Sequence, residues 1–253
     1  MPFIHQDFLL SNDKSRRLYH DYAQSMPIID YHNHLNPKQL ATNYQFKDLT
    51  EIWLAGDHYK WRAMRANGVD ERYITGGATA DEKFLKWSET VPYTLGNPLF
   101  HWTHLELQRY FQVEELLNAD NAHEIFQHCN DMLRQEEFRA RNLVLQKNVR
   151  TLCTTDDPAD DLIHHQKLHS DQTDLRVYPT FRPDKMFMVK ADGYGEYLQK
   201  LGVTSNIEIN SFNNLLEAAT KRIEDFHQLG SRLSDHGLAY LPNVSPSDSL
   251  SKK

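Results

Sequence analysis

His32 and His34 stand two positions apart in the stretch Pro27-Ile-Ile-Asp-Tyr-His-Asn-His-Leu35. Side chains alternate between faces along a strand, so residues i and i+2 point the same way, and two imidazoles so placed can grip one metal ion. Ile28 and Ile29 give the run before the pair the β-branched character of a buried strand that ends where the histidines begin. With 14 histidines among 253 residues, chance also produces such pairs, so the neighbouring chemistry decides.

That chemistry sits at the ends of further strand-like segments. Arg182 closes the run Leu175 to Phe181 and precedes Pro183, which removes a donor and fixes φ, so the chain must leave a sheet there. Its guanidinium can hold a carboxylate or vicinal hydroxyls in a two-pronged fork, or it can serve as a structural partner of Asp156 or Asp157. Asp157 reads as the N-cap of a helix opening at Pro158, and Asp156 as a group that orients a ligand from behind. His236 is either a contact at the end of a fourth strand or a packed strand-end histidine. Elsewhere, His58 and Tyr59 follow the cap residue Asp57 and project from the first turn of a helix, whose positive dipole end favours anions. The plainer alternative is a packed Tyr59 and a solvated His58. Arg62 and Arg65, three apart on that helix, read as surface or ion-pair residues, and His101, His104, His164 and His165 as surface or structural ones.

The elements that must carry these groups follow from periodicity. Asp13 to Gln24 has helical spacing of Leu18, Tyr19, Tyr22 and Ala23. Between about residues 36 and 148 lies a long polar and aromatic stretch with helix signals, which we read as a helical insertion: Asp57 before His58 to Asn67 with Gly68 as the stop, Asp81 as a cap before Phe84, Leu85 and Trp87, and Ala122 to Arg134. Regular β/α alternation then follows. Val149 to Thr155 is a strand, Leu162, Ile163 and Leu168 supply the apolar face of a helix, and Phe212 to Leu229 is a strongly amphipathic helix (Leu215, Leu216, Ala219, Ile223, Phe226) stopped by Gly230. Ser231 to Ser234 opens a further strand. Four strand candidates thus each end in polar groups, as the active site of an eight-stranded α/β barrel is built. Only four of eight strands are visible, and residues 241–246 lead to Lys253 with no further βα unit, so we expect the N-terminal half of a barrel.

Composition narrows the partners. A net charge of −7 gives no general attraction to nucleic acid or anionic membrane, so neither is expected as a partner, and an anionic ligand would need local positive groups. Cys129 and Cys153 match no metal knuckle or redox pair, and the N-terminus carries no basic-then-apolar leader, which suggests a reducing cytoplasm. No apolar run approaches the ~20 residues of a membrane helix.

Asp30-Tyr31-His32-Asn33-His34-Leu35, Gly56-Asp57-His58-Tyr59-Lys60-Trp61-Arg62, Asn97-Pro98-Leu99-Phe100-His101-Trp102, Thr154-Thr155-Asp156-Asp157-Pro158 and Phe181-Arg182-Pro183-Asp184-Lys185 closely resemble, in order, the uronate (glucuronate) isomerase family, an isomerising branch of the amidohydrolase superfamily. The resemblance covers nearly all of this chain and about the first half of a family member. It implies the α/β, (β/α)8 TIM-barrel fold of the metal-dependent hydrolase type, and aldose–ketose isomerisation of D-glucuronate to D-fructuronate and of D-galacturonate to D-tagaturonate. It further implies one divalent metal ion, zinc by expectation, on His32 and His34. The substrate contacts it implies are Arg182, His58, Tyr59 and His236, with His58 and Tyr59 available for proton transfer. Hydrolytic members of the superfamily commonly carry a lysine at the end of strand four, whereas this chain reads Leu233-Ser234-Asp235-His236-Gly237, which favours a single metal. The alternatives are a mononuclear metal-dependent hydrolase of that superfamily and an inactive chain that only binds a partner. An uncovered strand edge would favour self-association, and residues 1–253 alone are expected not to turn over.

Overall fold

The computed structural model describes residues 2–171 and 173–238, so residues 241–246 lie outside the described residues. In chain order the elements are α1 (Asp13–Leu18), β1 (Ile28–Asp30), α2 (Pro37–Ala41), α3 (Leu49–Leu54), α4 (His58–Ala66), α5 (Ala80–Thr90), α6 (Pro98–Phe111), α7 (Ala122–Leu133), α8 (Ala140–Leu145), β2 (Val149–Asp156), α9 (Ile163–Ser170), β3 (Arg176–Phe181), α10 (Asp184–Phe187), α11 (Tyr194–Ser205) and α12 (Phe212–Gln228). They divide into two compact units, Met1–Ile28 with Thr42–Arg150, and Ile29–Ala41 with Thr151–Lys253. No helix among the described residues is long and apolar enough to cross a membrane.

The first unit is helical. Its core gathers around α5, where Phe84 and Trp87 are fully buried among Trp53, Met64, Leu107, Phe126 and Leu133. Sequence patterning placed this helix correctly but not its cap. Thr79 rather than Asp81 is the N-cap, in a reciprocal box with Glu82: the Thr79 side chain accepts from the Glu82 N–H, and the Glu82 carboxylate accepts from the Thr79 N–H. Asp81 lies in the first turn, where a carboxylate meets the positive helix end. The expected helix 13–24 is present as α1 continued by a π-helical segment, Tyr19–Ala23.

The second unit is α/β. Its sheet has the order β1-β2-β3, and β2 and β3 run parallel in a register that pairs Thr151 with Arg176 and Asp156 with Phe181. Beyond β3, Phe181 forms a parallel bridge with Ser234: the Phe181 N–H donates to the Leu233 carbonyl, and the Asp235 N–H to the Phe181 carbonyl. The fourth strand position expected from the sequence is therefore occupied, though by a single bridge.

Three packing expectations are corrected. Ile28 and Ile29 are 47% and 66% exposed, because β1 is a three-residue strand at the edge of the sheet and not the buried strand their side chains suggested. On α12 the buried line is Ala218, Arg222 and Phe226, at steps of four, while Leu216 and Ile223 face outward. Arg222 tolerates burial because its guanidinium donates to the carbonyls of Pro158 (2.8 Å) and Asp160 (2.7 Å) and pairs with Asp225 (2.8 Å). Finally, the helix after β2 opens at Ile163, five residues beyond Pro158, with Ile163 exposed and Leu162 and Leu168 buried.

Candidate functional site

Parallel strands end on one side of a sheet, so residues just past their C-terminal ends converge whatever the intervening helices do. His32 and His34 follow β1, Asp156 ends β2, Arg182 follows β3, and Asp235 and His236 follow the Ser234 bridge. Three of these strand ends meet through one carboxylate. Asp235 accepts from Arg182 Nε at 2.9 Å through Oδ1 and from Arg182 Nη2 at 2.6 Å through Oδ2, and the same Oδ2 lies 3.1 Å from His32 Nδ1. Hydrogen bonding to Arg182 holds the Asp235 carboxyl below the usual carboxylate range, with the Coulombic effect of Arg182, His32 and His34 adding to it. The fork that the sequence assigned to a substrate carboxylate or to Asp156 or Asp157 is thus engaged by Asp235, a residue that sequence reasoning placed at a strand end without giving it a role.

The His32 and His34 rings lie 5.2 Å apart between centroids, nearly perpendicular. His32 Nδ1 faces the Asp235 carboxylate as an ion-pair contact, and a neutral imidazole offers one ring nitrogen as a metal donor. On this donor chemistry the pair fits a divalent ion. Among the described residues no three His, Cys, Asp or Glu side chains converge as a metal site.

Asp184 organises the other half of the strand-four end. It is buried, and it accepts from His236 Nδ1 at 2.6 Å and from the Gly237 N–H. Arg182, drawn upward in pKa first by Asp235, also feels the Asp184 charge. Nothing in the sequence marked Asp184 beyond its place after Arg182-Pro183.

Asp156 and Asp157 turn away from Arg182. The Thr154 hydroxyl donates to Asp156 Oδ2 (2.7 Å), and its oxygen lies 2.8 Å from His165 Nε2, which must carry the proton in that arrangement. Burial pushes the Asp156 carboxyl up to about 6 and the His165 imidazole down to about 4. Both line a cleft of about 480 Å³ with Leu162, Lys200, Val203 and Thr204. Asp157 does not cap a helix at Pro158, as the sequence suggested. It closes a turn in which it accepts from the Ala159 N–H (2.9 Å), while its own N–H donates to Asp160 (3.0 Å). The polar ends of Asp157 and Asp160 satisfy each other there, so the chain delays its helix to Ile163.

His58 and Tyr59 belong to the helical unit. Both are exposed on the first turn of α4, with rings 4.2 Å apart and Arg62 over the Tyr59 ring. Asp57 caps the helix as expected, accepting from the N–H groups of Tyr59 (2.9 Å) and Lys60 (3.1 Å) and from Lys60 Nζ (2.8 Å). Burial pushes the Asp57 carboxyl up, but the Lys60 ammonium and these donors outweigh it and hold it low. Arg65 forms a two-pronged pair with Glu71, and His104 is buried between the Phe100 carbonyl and the Leu117 N–H, so both are structural as the sequence suggested.

The sequence model of the glucuronate isomerase family matches residues 1–252. The uronate isomerase of Geobacillus thermodenitrificans is 51% identical over 242 residues, 95% of this chain and 52% of that protein. The uronate isomerase of Cellvibrio japonicus is 54% identical over 241 residues, 94% of this chain and 51% of that one. Among solved structures, the uronate isomerase of Thermotoga maritima superposes with a TM-score of 0.88 at 35% identity, covering 93% of this chain and 52% of its own. The glucuronate isomerase of Caulobacter crescentus gives 0.89 at 28% identity, covering 99% and 55%. The chain spans about half the length of the curated relatives it matches. With residues 1–252 matched by the family model and relatives about 50% identical over nearly the whole chain, the chain belongs to the glucuronate isomerase family.

Proposed function

We propose that this chain provides the strand-end part of a uronate isomerase site, which interconverts D-glucuronate with D-fructuronate and D-galacturonate with D-tagaturonate. The observation that carries the proposal is the junction of Arg182, Asp235 and His32 beside His34, all past the C-terminal ends of parallel strands. In this proposal the parallel sheet belongs to a (β/α)8 barrel of the amidohydrolase type, and the chain works in the cytoplasm, in keeping with Cys129 and Cys153 as buried free thiols.

Isomerisation moves a proton between C2 and C1 through an enediol, which calls for an acid/base, a stabiliser of developing oxyanion charge and a cation for the substrate carboxylate. One zinc ion on His32 and His34 would supply charge stabilisation by polarising a substrate oxygen. Arg182 is the proposed carboxylate or hydroxyl contact. Because Asp235 holds its guanidinium by one edge, little side-chain entropy remains to be lost when a sugar binds. His236 is proposed as a hydroxyl contact. His58 and Tyr59, exposed at the positive end of α4, are the proposed hydrogen-bonding and proton-transfer groups.

The test is ligand binding to the purified 253-residue chain supplied with zinc, followed by thermal shift and by titration calorimetry. D-glucuronate and D-galacturonate should stabilise the chain in a saturable, Arg182-dependent way, while amide, ester and lactone ligands should not. Stabilisation or hydrolysis of the latter with no response to either uronate would replace the isomerase proposal with the hydrolase one.

A further inference from the structure

Asp184 is buried at the start of α10, yet both of its oxygens are turned to the segment after the Ser234 bridge. Oδ1 lies 2.6 Å from His236 Nδ1, and Oδ2 accepts the Gly237 N–H. The packing there is tight: a Cβ at Gly237 would lie 3.1 Å from Arg182 Nη1 and 3.5 Å from Asp184 Oδ2. One carboxylate thereby grips the two residues that follow Asp235, the residue joined to both Arg182 and His32.

We propose that Asp184 is a positioning residue of the site: it sets His236 in the tautomer protonated at Nδ1, so that Nε2 is presented as a hydrogen-bond acceptor, and it anchors the backbone that holds Asp235 against Arg182. The chemistry follows from the donor inventory. An ionised carboxylate accepts only, and its second oxygen already receives a backbone N–H, so the His236 nitrogen facing it is the protonated one. The lone pair then falls on Nε2, at the end of the half-exposed ring away from Asp184. An acceptor nitrogen at this point suits a donor, such as a sugar hydroxyl, and disfavours a group that can only accept. The sugar assignment rests on the uronate isomerase proposal, whereas the tautomer does not.

The experiment uses the 253-residue chain labelled with 15N at histidine and glycine. Long-range 1H–15N correlations at about pH 8.5, above the usual histidine range, read which nitrogen of His236 carries the proton. The expected result is a protonated Nδ1 in the parent chain and a shift of population to Nε2–H in Asp184→Ala. Asp184→Asn covers the case in which the alanine variant does not fold. Asparagine replaces one of the two accepting oxygens with an NH2 that only donates, facing either His236 Nδ1 or the Gly237 N–H, so either the tautomer changes or the Gly237 amide exchanges at least tenfold faster. An Nε2–H tautomer in the parent chain, or an Asp184→Asn chain with both readouts unchanged, would overturn the proposal. Adding D-glucuronate separates the two claims: a protonated Nδ1 with no response of the Nε2 resonance sustains the role of Asp184 and counts against the uronate.

Discussion

Asp235 meets Arg182 edge to edge, with Oδ1 to Nε at 2.9 Å and Oδ2 to Nη2 at 2.6 Å, and this pairing joins the end of β3 to the segment beyond the Ser234 bridge. Two parallel, charge-assisted hydrogen bonds fix both side chains at once. The geometry makes Asp235 rather than Asp156 or Asp157 the residue that orients the arginine. Asp235→Asn should lower the melting temperature of the chain and weaken uronate binding about tenfold or more, the loss of a charge-assisted contact being on the order of 1.5 to 3 kcal/mol. A double-mutant cycle with Arg182→Met should give a coupling of about 1 kcal/mol or more, and additive effects would show that the two residues act independently.

The same pair sets an acid limb. The folded-state pKa of Asp235 is lowered, first by its hydrogen bonds to Arg182, so the stability it contributes is present above the ordinary carboxylate pKa of about 3.9 and lost as pH falls through the lower folded value. Chemical denaturation between pH 5 and pH 2.5 should therefore show a steeper fall for the parent chain than for Asp235→Asn. Parallel curves would remove the ion pair from the account of acid stability.

Zinc binding should depend on both imidazoles. On the proposed two-histidine site, removing either donor by His32→Ala or His34→Ala leaves one, and the chain should lose most of its bound zinc on dialysis against micromolar metal. Asp235→Asn should weaken zinc less, since Asp235 lies against His32 Nδ1 and is not one of the proposed donors. A full equivalent of zinc retained by both alanine variants would place the metal elsewhere.

Asp156 and His165 should oppose each other in their pH dependence. Asp156 titrates in the folded chain at about 6, above its ordinary value, so between pH 4 and 6 the folded state binds more protons and this group makes stability fall as pH rises. His165 titrates at about 4, below its ordinary value, so over pH 4 to 6.5 the unfolded state binds more protons and this group makes stability rise. Each shift corresponds to something on the order of 2 to 3 kcal/mol, and in the parent chain the two largely cancel. Relative to the parent, Asp156→Asn should gain stability as pH rises from 4.5 to 6.5, and His165→Gln should lose it. Urea midpoints at three pH values measure both slopes. Variants that track the parent would mean that neither group is held away from its ordinary pKa.

The strand ends were legible in the sequence because they rest on local rules: Pro183 forces the chain out of the sheet after Arg182, Asp57 caps α4, and β2 and β3 are short segments rich in β-branched and aromatic residues. What stayed hidden is nonlocal. No spacing rule says that Asp235 selects Arg182 fifty-three residues away, or that Asp184 turns to His236 and Gly237. Burial was misread where polarity and position part company. Ile28 and Ile29 are apolar but lie on an edge strand, and Thr79 wins the α5 cap because Glu82 can answer it three residues on, a partner Asp81 does not have at the right distance.

Arg222 and Ile223 give the sharpest case, and a final prediction. The 3.6-residue pattern assigns Ile223 to the core of α12 and Arg222 to solvent, yet Arg222 is 5% exposed and Ile223 is 52% exposed. The arginine crosses to the inside because the turn after β2 offers the carbonyls of Pro158 and Asp160, and Asp225 balances its charge one helical turn away. Arg222→Met fills similar volume but leaves the Pro158, Asp160 and Thr204 carbonyls without their donor, while Asp225 keeps Lys221, and this should cost roughly 1 to 3 kcal/mol. Arg222→Lys should recover only part of this, since an ammonium cannot reproduce the planar fork. Ile223→Ser should cost less than about 0.5 kcal/mol, the ordinary range for an exposed position. Thermal and urea melts of the three variants rank them directly, and an Ile223→Ser chain as unstable as Arg222→Met would show that α12 buries the face its hydrophobic pattern predicts and not the one Arg222 occupies.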